Sequence, residues 1–238
     1  MTERLQILTE QLAVRKAEIE QRVRDACHAE GRDPADVTIV AVTKQVDDET
    51  ARAAVQAGFL DLGENRPQAL LQKQQALADL PVRWHLIGSL QRNKVRSILP
   101  VTHLIHAVDS VRLAETMARI AGEETLEIDA LLQVNLSGET SKHGFAKSEA
   151  KAAAAALGKI EHVRWRGLMT MAPIDADESY CRSLFSRTRD LRNALQSVGG
   201  MAELCWLSMG MSRDFEAAVA AGATHIRLGS VLFGNLRS

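Results

Sequence analysis

The chain has 238 residues, of which 46% are hydrophobic and 25% charged, with a formal net charge of −1. This composition is typical of a globular protein with a full core and excludes a low-complexity or fibrous chain. The near-neutral charge and scattered basic residues argue against a nucleic-acid or membrane surface. Three separated cysteines without a C-x-x-C pair argue against a disulfide framework or zinc site. No apolar segment has signal or membrane-spanning length, which predicts a cytoplasmic protein.

The first segment predicts a long amphipathic helix. Between Thr2 and Glu30, apolar residues recur at roughly helical spacing among charged and amide residues, at Leu5, Leu8, Leu12, Ile19 and Val23. The pattern stops at Gly31, with Pro34 just beyond. We expect residues 1–36 to form an N-terminal helix packed on a barrel of residues 37–238, in one domain overall. A monomer is the expected state, with a dimer as the alternative.

After this helix, short apolar strands alternate with polar turns and amphipathic helices. The predicted strands are 37–43, 59–62, 83–87, 103–107, 128–134, 163–169, 203–207 and 225–228. This alternation predicts an α/β fold, a single (β/α)8 TIM barrel with an extra N-terminal helix. An open doubly wound sheet is the alternative. It is disfavoured because no G-x-G-x-x-G motif follows the first strand.

A lysine, Lys44, follows the first predicted strand, VTIVAVT. In parallel sheets ligands bind beyond the carboxyl ends of the strands, so Lys44 is a candidate for chemistry on a carbonyl or phosphate. The alternative is a surface lysine that begins a loop. In a barrel, the residues that end the strands converge with it on one mouth: Gly63, Glu64, Asn65, Gly88, Ser89, Asp109, Asn135, Met169, Thr170, residues 208–212, Gly229 and Ser230.

Two of these strand ends suit a phosphate group. In LSMGMSRDFEAAV, small residues lead into a helix, and Ser208 and Ser212 add hydroxyl groups. In RLGSVLFG, Gly229 lets the backbone approach a ligand, and the N–H groups of Gly229 and Ser230 face the same region. An amine opposite a phosphate site is what pyridoxal 5'-phosphate requires. Each stretch also has a simpler interpretation, as a helix N-cap or a tight turn.

Several segments resemble the pyridoxal phosphate homeostasis protein family: AVTKQV, LGENRPQ, WHLIGSLQRNK, IHAVDS, VNLSGETSKHG, RGLMTMAP and LSMGMSRDFEAAVAAGATHIRLGSVLFG. The resemblance is collinear from about Val37 to Gly234. It implies a fold-type III barrel, related to the N-terminal domain of alanine racemase, with pyridoxal phosphate held as a Schiff base on Lys44. It also implies Asn65 beside the ring, Arg227 facing the pyridine nitrogen, and a phosphate held by Ser208, Ser212, Gly229 and Ser230. One departure is Arg66-Pro67, where the family usually has an aromatic residue after the GEN segment.

The resemblance and the residues favour a carrier over an enzyme. A guanidinium keeps its protons, so a pyridine nitrogen that faces Arg227 stays unprotonated. A neutral pyridine ring withdraws electrons less strongly than a pyridinium ring. A racemase also needs a second acid or base, and the single tyrosine, Tyr180, lies within a predicted helix. We therefore expect a non-catalytic protein that carries and buffers pyridoxal phosphate, regulates its homeostasis and supplies pyridoxal-phosphate-dependent apo-enzymes.

Two other hypotheses stay open. One is a pyridoxal-phosphate-dependent racemase or decarboxylase that acts through Lys44 alone or with Lys142 or His143. The other is a phosphate-binding module without covalent chemistry. His103 and His106 resemble an H-x-x-H pair, but on one strand they are expected to point to opposite faces and not to share a metal. His85 and His106 are expected to be packing groups or groups that support the site residues from behind, and not catalytic groups.

Overall fold

A computed structural model describes residues 2–138 and 143–236. In this part of the chain eight parallel strands close into a barrel, since pairing of β4 with β5 joins the two ends of the sheet, and a ninth short strand, β6, pairs with the end of β5. The predicted (β/α)8 barrel is therefore confirmed. The strands are β1 Thr38–Val42, β2 Asp61–Glu64, β3 Arg83–Leu86, β4 Leu104–Val108, β5 Ile128–Asn135, β6 Phe145–Ala146, β7 Val163–Met169, β8 Trp206–Met211 and β9 His225–Leu228.

Helices surround the barrel, and four of those in the described residues begin where the sequence supplies an N-cap side chain. The side chains of Thr2, Asp47, Ser110 and Asp177 each accept a hydrogen bond from a backbone N–H in the first turn of a helix. None of the helices in the described residues is long and apolar enough to cross a membrane. The helices are α1 Glu3–Ala29, α2 Asp48–Gln56, α3 Pro67–Ala76, α4 Val95–Ile98, α5 Val111–Glu123, α6 Ala150–Leu157, α7 Glu178–Leu195, α8 Phe215–Ala220 and α9 Ser230–Phe233.

Helix α1 lies along the outside of the barrel against α2, α8 and α9. Its predicted apolar face is buried, and Leu12 has no exposed surface. Burying such a leucine stabilises the fold by about 1.5–3 kcal/mol. Polar contacts fix the same helix to α8, since the guanidinium of Arg22 lies 4.5 Å from the centre of the Phe215 ring.

Two strands differ from their predicted bounds by more than one residue. The strand predicted at 203–207 is β8, Trp206–Met211. The residues before it form a turn, in which the N–H of Cys205 donates to the carbonyl of Glu203. The glycine of the SMGMS segment, Gly210, continues the strand with a φ of 91°, which a glycine adopts freely. The second strand begins at Asp61 instead of Phe59, because the N–H of Phe59 still closes the end of α2 on Ala54.

The buried residues form two separate layers. The outer layer lies between the barrel and the helices and is almost entirely apolar. The lumen holds a small apolar cluster of Leu104, Ala107, Leu131 and Met169. Polar groups fill much of the remaining lumen, since Asp61, His85, His106, Ser208 and Arg227 are all buried. Bulky aliphatic residues usually dominate a barrel lumen, so this one is unusually polar.

Candidate functional site

Lys44 lies two residues beyond the last residue of β1, where the chain turns at the mouth of the barrel, and is exposed. Thr43 before it is fully buried and donates its N–H to the carbonyl of Gly63 on β2, at 3.0 Å. The N–H of Val46 turns back to the carbonyl of Thr43, at 3.1 Å. The backbone is therefore held on both sides of Lys44 at the mouth.

A buried ion pair supports this strand end from the helix side. Nζ of Lys73, on α3, donates to Oε1 of Glu64 at 2.6 Å and to the carbonyl of Thr43. The hydroxyl of Thr43 donates to the same carboxylate oxygen at 2.7 Å. The sequence predicted Glu64 at the mouth, and this is wrong: Glu64 has no exposed surface and faces α3. It pairs with a lysine nine residues further on, which sequence reasoning missed.

Asn65 is exposed at the end of β2, next to the end of β3. A Cβ atom on Gly88 would lie 2.2 Å from the carbonyl oxygen of Asn65, so only glycine fits at this contact. The departure at Arg66-Pro67 is accommodated locally. Arg66 is the N-cap of α3 and Pro67 its first residue, a position at which proline lacks no needed hydrogen bond.

The residues predicted to bind a phosphate after β8 and β9 are in contact with each other. The hydroxyl oxygen of Ser212 accepts from the N–H of Gly229 at 3.2 Å and from the N–H of Val231 at 3.3 Å. Gly229 lies against Val42, the last residue of β1, two residues before Lys44. Two backbone donors, one hydroxyl and the amine therefore lie on adjacent strand ends. Ser230, between the two donors, is exposed.

Ser208 and Arg227 lie deeper, in the lumen. Ser208 is within β8, and its hydroxyl accepts from Nη1 of Arg227 at 2.5 Å. Nη2 of Arg227 donates to the carbonyl of Thr170 at 3.0 Å. Burial lowers the pKa of Arg227 to about 10, which leaves it charged at neutral pH. The structure thus brings Ser212 and Gly229 together and places Ser208 with Arg227. The assignment of Ser208 to a phosphate stays a prediction.

The histidines do not follow the predicted arrangement. His103 precedes β4, so strand alternation does not separate it from His106. The centres of both rings lie close to that of His85, at 5.5 and 5.2 Å. No group of three or more metal-ligating side chains with suitable geometry occurs in residues 2–138 and 143–236. His85 and His106 are hydrogen-bonded to each other and to further polar groups, which the strand pattern alone did not indicate.

Two groups considered as a second acid or base have clear positions. His143 is largely exposed, with its Nδ1 atom 3.7 Å from Oδ2 of Asp109 at the end of β4. Tyr180 lies in the first turn of α7, outside the barrel, with the guanidinium carbon of Arg187 6.0 Å from its ring centre. Lys142 lies outside the described residues.

The family model "Alanine racemase, N-terminal domain" matches residues 14–237. A "Pyridoxal phosphate homeostasis protein" from Pseudomonas aeruginosa is 41% identical, over 92% of this chain and 93% of the relative. This chain belongs to that family. Members with the same name from Aquifex aeolicus and Escherichia coli K12 are 36% and 33% identical, each over 92% of this chain and over 96% and 94% of the relative. The predicted family resemblance is confirmed.

Solved structures agree with this membership. PipY of Synechococcus elongatus, determined "with PLP bound", superposes with a TM-score of 0.83 at 38% identity, over 94% of this family member and all of PipY. Alanine racemase from Corynebacterium glutamicum superposes with a TM-score of 0.72 at 13% identity, over 98% of this family member and 62% of the racemase. At that identity the likeness shows a shared barrel fold.

Proposed function

We propose that this protein binds pyridoxal 5'-phosphate at the barrel mouth and serves as a carrier that buffers the cofactor in pyridoxal phosphate homeostasis. The observation that carries the proposal is the meeting of Ser212 with the N–H groups of Gly229 and Val231 beside the strand end that presents Lys44. The residues fit the group, because these donors suit a phosphate and the lysine suits an aldehyde. The relatives named above and PipY with its bound cofactor support it.

Each residue then has a defined task. Lys44 would hold the aldehyde end of the cofactor through its side-chain amine. Ser212, Gly229 and Ser230 would hold the phosphate with a hydroxyl and backbone N–H groups, and Ser208 remains a proposed further contributor. Asn65 would border the ring, and Arg227 would donate a hydrogen bond to the pyridine nitrogen. When bound, the cofactor supplies an electrophilic carbon and an electron-withdrawing ring.

The non-catalytic role is the second half of the proposal. A donor-only guanidinium at the pyridine nitrogen keeps that nitrogen unprotonated, so the ring stabilises a carbanion poorly. Tyr180 lies outside the barrel, and His143 is largely exposed and paired with Asp109. Transfer to cytoplasmic apo-enzymes, by a monomeric carrier, completes the proposed role. The thiols of Cys27, Cys181 and Cys205 are free, which fits a reducing compartment.

Borohydride reduction tests the cofactor proposal directly. Protein loaded with pyridoxal phosphate is reduced, digested and mapped by mass spectrometry, in wild type, Lys44→Ala and Lys147→Ala. Lys147 is an exposed lysine just beyond β6 and serves as the matched control. We expect the phosphopyridoxyl group on the Lys44 peptide in wild type and in Lys147→Ala. In Lys44→Ala we expect no absorbance band from a lysine-bound cofactor. Labelling spread over several lysines would contradict a specific site.

An amino-acid turnover assay tests the non-catalytic role. Loaded wild-type protein is incubated with L-amino acids, and the products are separated on a chiral column. We expect no racemisation or decarboxylation above that of the free cofactor. Turnover that disappears in Lys44→Ala would replace the carrier with an enzyme of the racemase or decarboxylase type.

A further inference from the structure

A continuous line of hydrogen bonds crosses the lumen from Arg227 to Asp61. Beyond the contact of Ser208 with Arg227, the hydroxyl of Ser208 lies 2.7 Å from Nδ1 of His106. Nε2 of His106 lies 2.9 Å from Nδ1 of His85, and Nε2 of His85 lies 2.9 Å from Oδ1 of Asp61. We call these five residues the lumen chain. All five are buried, and the contact of His106 with Ser208 joins strands β4 and β8, which are not neighbours.

The proton positions along the lumen chain follow from its two ends. A carboxylate only accepts, so Nε2 of His85 must donate to Asp61; a guanidinium only donates, so the oxygen of Ser208 must accept from Arg227. If both imidazoles are neutral, every link points the same way: Ser208 donates to Nδ1 of His106, and Nε2 of His106 donates to Nδ1 of His85. Each imidazole is then fixed in its Nε2–H form.

The surroundings keep both ends ionised and both imidazoles neutral. Burial alone would raise the pKa of the Asp61 carboxyl, but hydrogen bonds from His85 and Arg83 outweigh it and hold that pKa well below its usual value. Burial lowers the pKa of His85 and lowers that of His106 further, so neither carries a charge at neutral pH. The chain therefore joins a buried cation to a buried anion through neutral groups.

The carboxylate end of the lumen chain lies at the opposite end of the barrel from Lys44. Asp61 and Arg83 begin their strands, where a cavity of about 820 Å³ opens that they line with His85 and His225. Arg83 holds Asp61 with two hydrogen bonds, from Nε at 2.7 Å and from Nη2 at 2.5 Å. Arg227 itself donates to neutral acceptors, Ser208 and the carbonyl of Thr170, while Asp214 interacts with it through charge.

We propose that Asp61 is a positioning residue that orients Arg227 from the far end of the barrel through the lumen chain. The inference rests on the proposed function, since the pyridine nitrogen is what Arg227 is oriented toward. Because aligned hydrogen bonds polarise one another, loss of the carboxylate weakens each link up to Ser208. The acceptor of Nη1 on Arg227 is then held less firmly, and the hydrogen bond that Arg227 would donate to the pyridine nitrogen would weaken.

The chain offers a matched control for Asp61. Asp129 on β5 is held by Arg164 of the neighbouring strand in the same two-point way, at 2.8 and 3.1 Å. The two carboxylate side chains are similarly buried, at 10% and 13% exposure, but Asp129 has no hydrogen bond to a histidine among the described residues. Asp61→Asn and Asp129→Asn therefore each remove a two-point ion pair with an arginine of the neighbouring strand, and they differ in the lumen chain. His106→Gln breaks the chain in its middle and serves if Asp61→Asn does not fold.

The first readout is the tautomer of each imidazole, measured by long-range ¹H–¹⁵N correlation spectra of the ¹⁵N-labelled protein without cofactor. The His85 and His106 signals are assigned with His85→Gln and His106→Gln. We expect both imidazoles to be neutral Nε2–H forms in wild type and in Asp129→Asn. Their ¹⁵N signals should shift in Asp61→Asn. An Nδ1–H form or a charged ring at either position in wild type would overturn the lumen chain.

The second readout is the dissociation constant of pyridoxal phosphate together with the pH titration of its bound absorbance band. We expect binding to weaken about fivefold to tenfold in Asp61→Asn and His106→Gln, as for loss of one well-formed hydrogen bond. The band should titrate at a different pH in both variants and be unchanged in Asp129→Asn. Equal behaviour of Asp61→Asn and Asp129→Asn would refute the positioning role. A wild-type protein that binds no pyridoxal phosphate would refute the proposed function. The tautomers of His85 and His106 would still show whether the lumen chain exists.

Discussion

The outer layer and the lumen of this barrel are held together by different kinds of interaction. The outer layer packs apolar side chains between sheet and helices and buries an ion pair, Glu64 with Lys73. The lumen is filled by hydrogen-bonded polar groups whose proton positions are fixed by their partners. The outer layer therefore stabilises the fold through buried apolar volume. The contribution of the lumen to stability depends instead on charge and pH. The following substitutions test this difference.

The largest effect is expected at the ion pair of the outer layer. Lys73→Met leaves Glu64 as an uncompensated buried charge, which should lower the free energy of unfolding by about 3–5 kcal/mol. Urea unfolding measures it. The double variant Glu64→Leu with Lys73→Met should recover most of the loss, because it replaces a buried pair with apolar volume. A double variant as unstable as Lys73→Met would show that the pair stabilises the strand end by itself.

The next effect is a cavity in the same layer. Leu12→Ala empties a fully buried position on α1 and should cost about 2–5 kcal/mol. Val14, on the same helix, is 60% exposed, so Val14→Ala should stay within about 0.5 kcal/mol. Chemical unfolding of both variants gives the comparison. A small cost for Leu12→Ala would mean that α1 contributes little to the barrel.

Backbone contact at the mouth should cost less than a cavity. In Gly88→Ala the added methyl group meets the carbonyl of Asn65, so the ends of β2 and β3 must move apart, at about 1–3 kcal/mol. Cofactor affinity should fall as well, because Asn65 moves. A Cβ atom on Gly199 meets nothing within 4 Å, so Gly199→Ala is the control. Thermal unfolding and cofactor titration of both variants decide whether the contact matters.

The lumen alone should make stability depend on pH in the mildly acidic range. Burial lowers the pKa of His225 to about 3, and the pKa values of His85 and His106 are lowered too. Below about pH 6.5 the unfolded chain binds protons at these histidines that the folded protein does not. Stability therefore falls with decreasing pH, by about 1.4 kcal/mol per pH unit for each such histidine.

Urea unfolding over a pH series measures this slope. His225→Gln should reduce the slope by the contribution of one histidine. Leu12→Ala should lower stability equally at every pH in the series. A wild-type slope of zero would place the three imidazoles in contact with solvent and remove the distinction between the two layers.

Much of the fold was predictable because the local pattern of apolar and polar residues indicates buried strands and amphipathic helices. The strands at 163–169 and 225–228 match their predicted bounds, and Lys44 follows β1 as expected. The lumen chain was not predictable, because strand alternation says which residues face inward and not which of them meet across a closed sheet. Glu64 was misplaced for a related reason: its partner Lys73 is found only once α3 has packed on β2.

The closure of the sheet by β4 and β5 bears on the protein before its cofactor is bound. In the described residues every strand of the ring has hydrogen-bonding neighbours on both sides, and only the two-residue strand β6 has a free side. Open strand edges are the surfaces on which proteins pair into aggregates. The protein must stay dispersed whether or not it holds the cofactor. A barrel without long free edges gives the empty form the same protection against self-association as the full one.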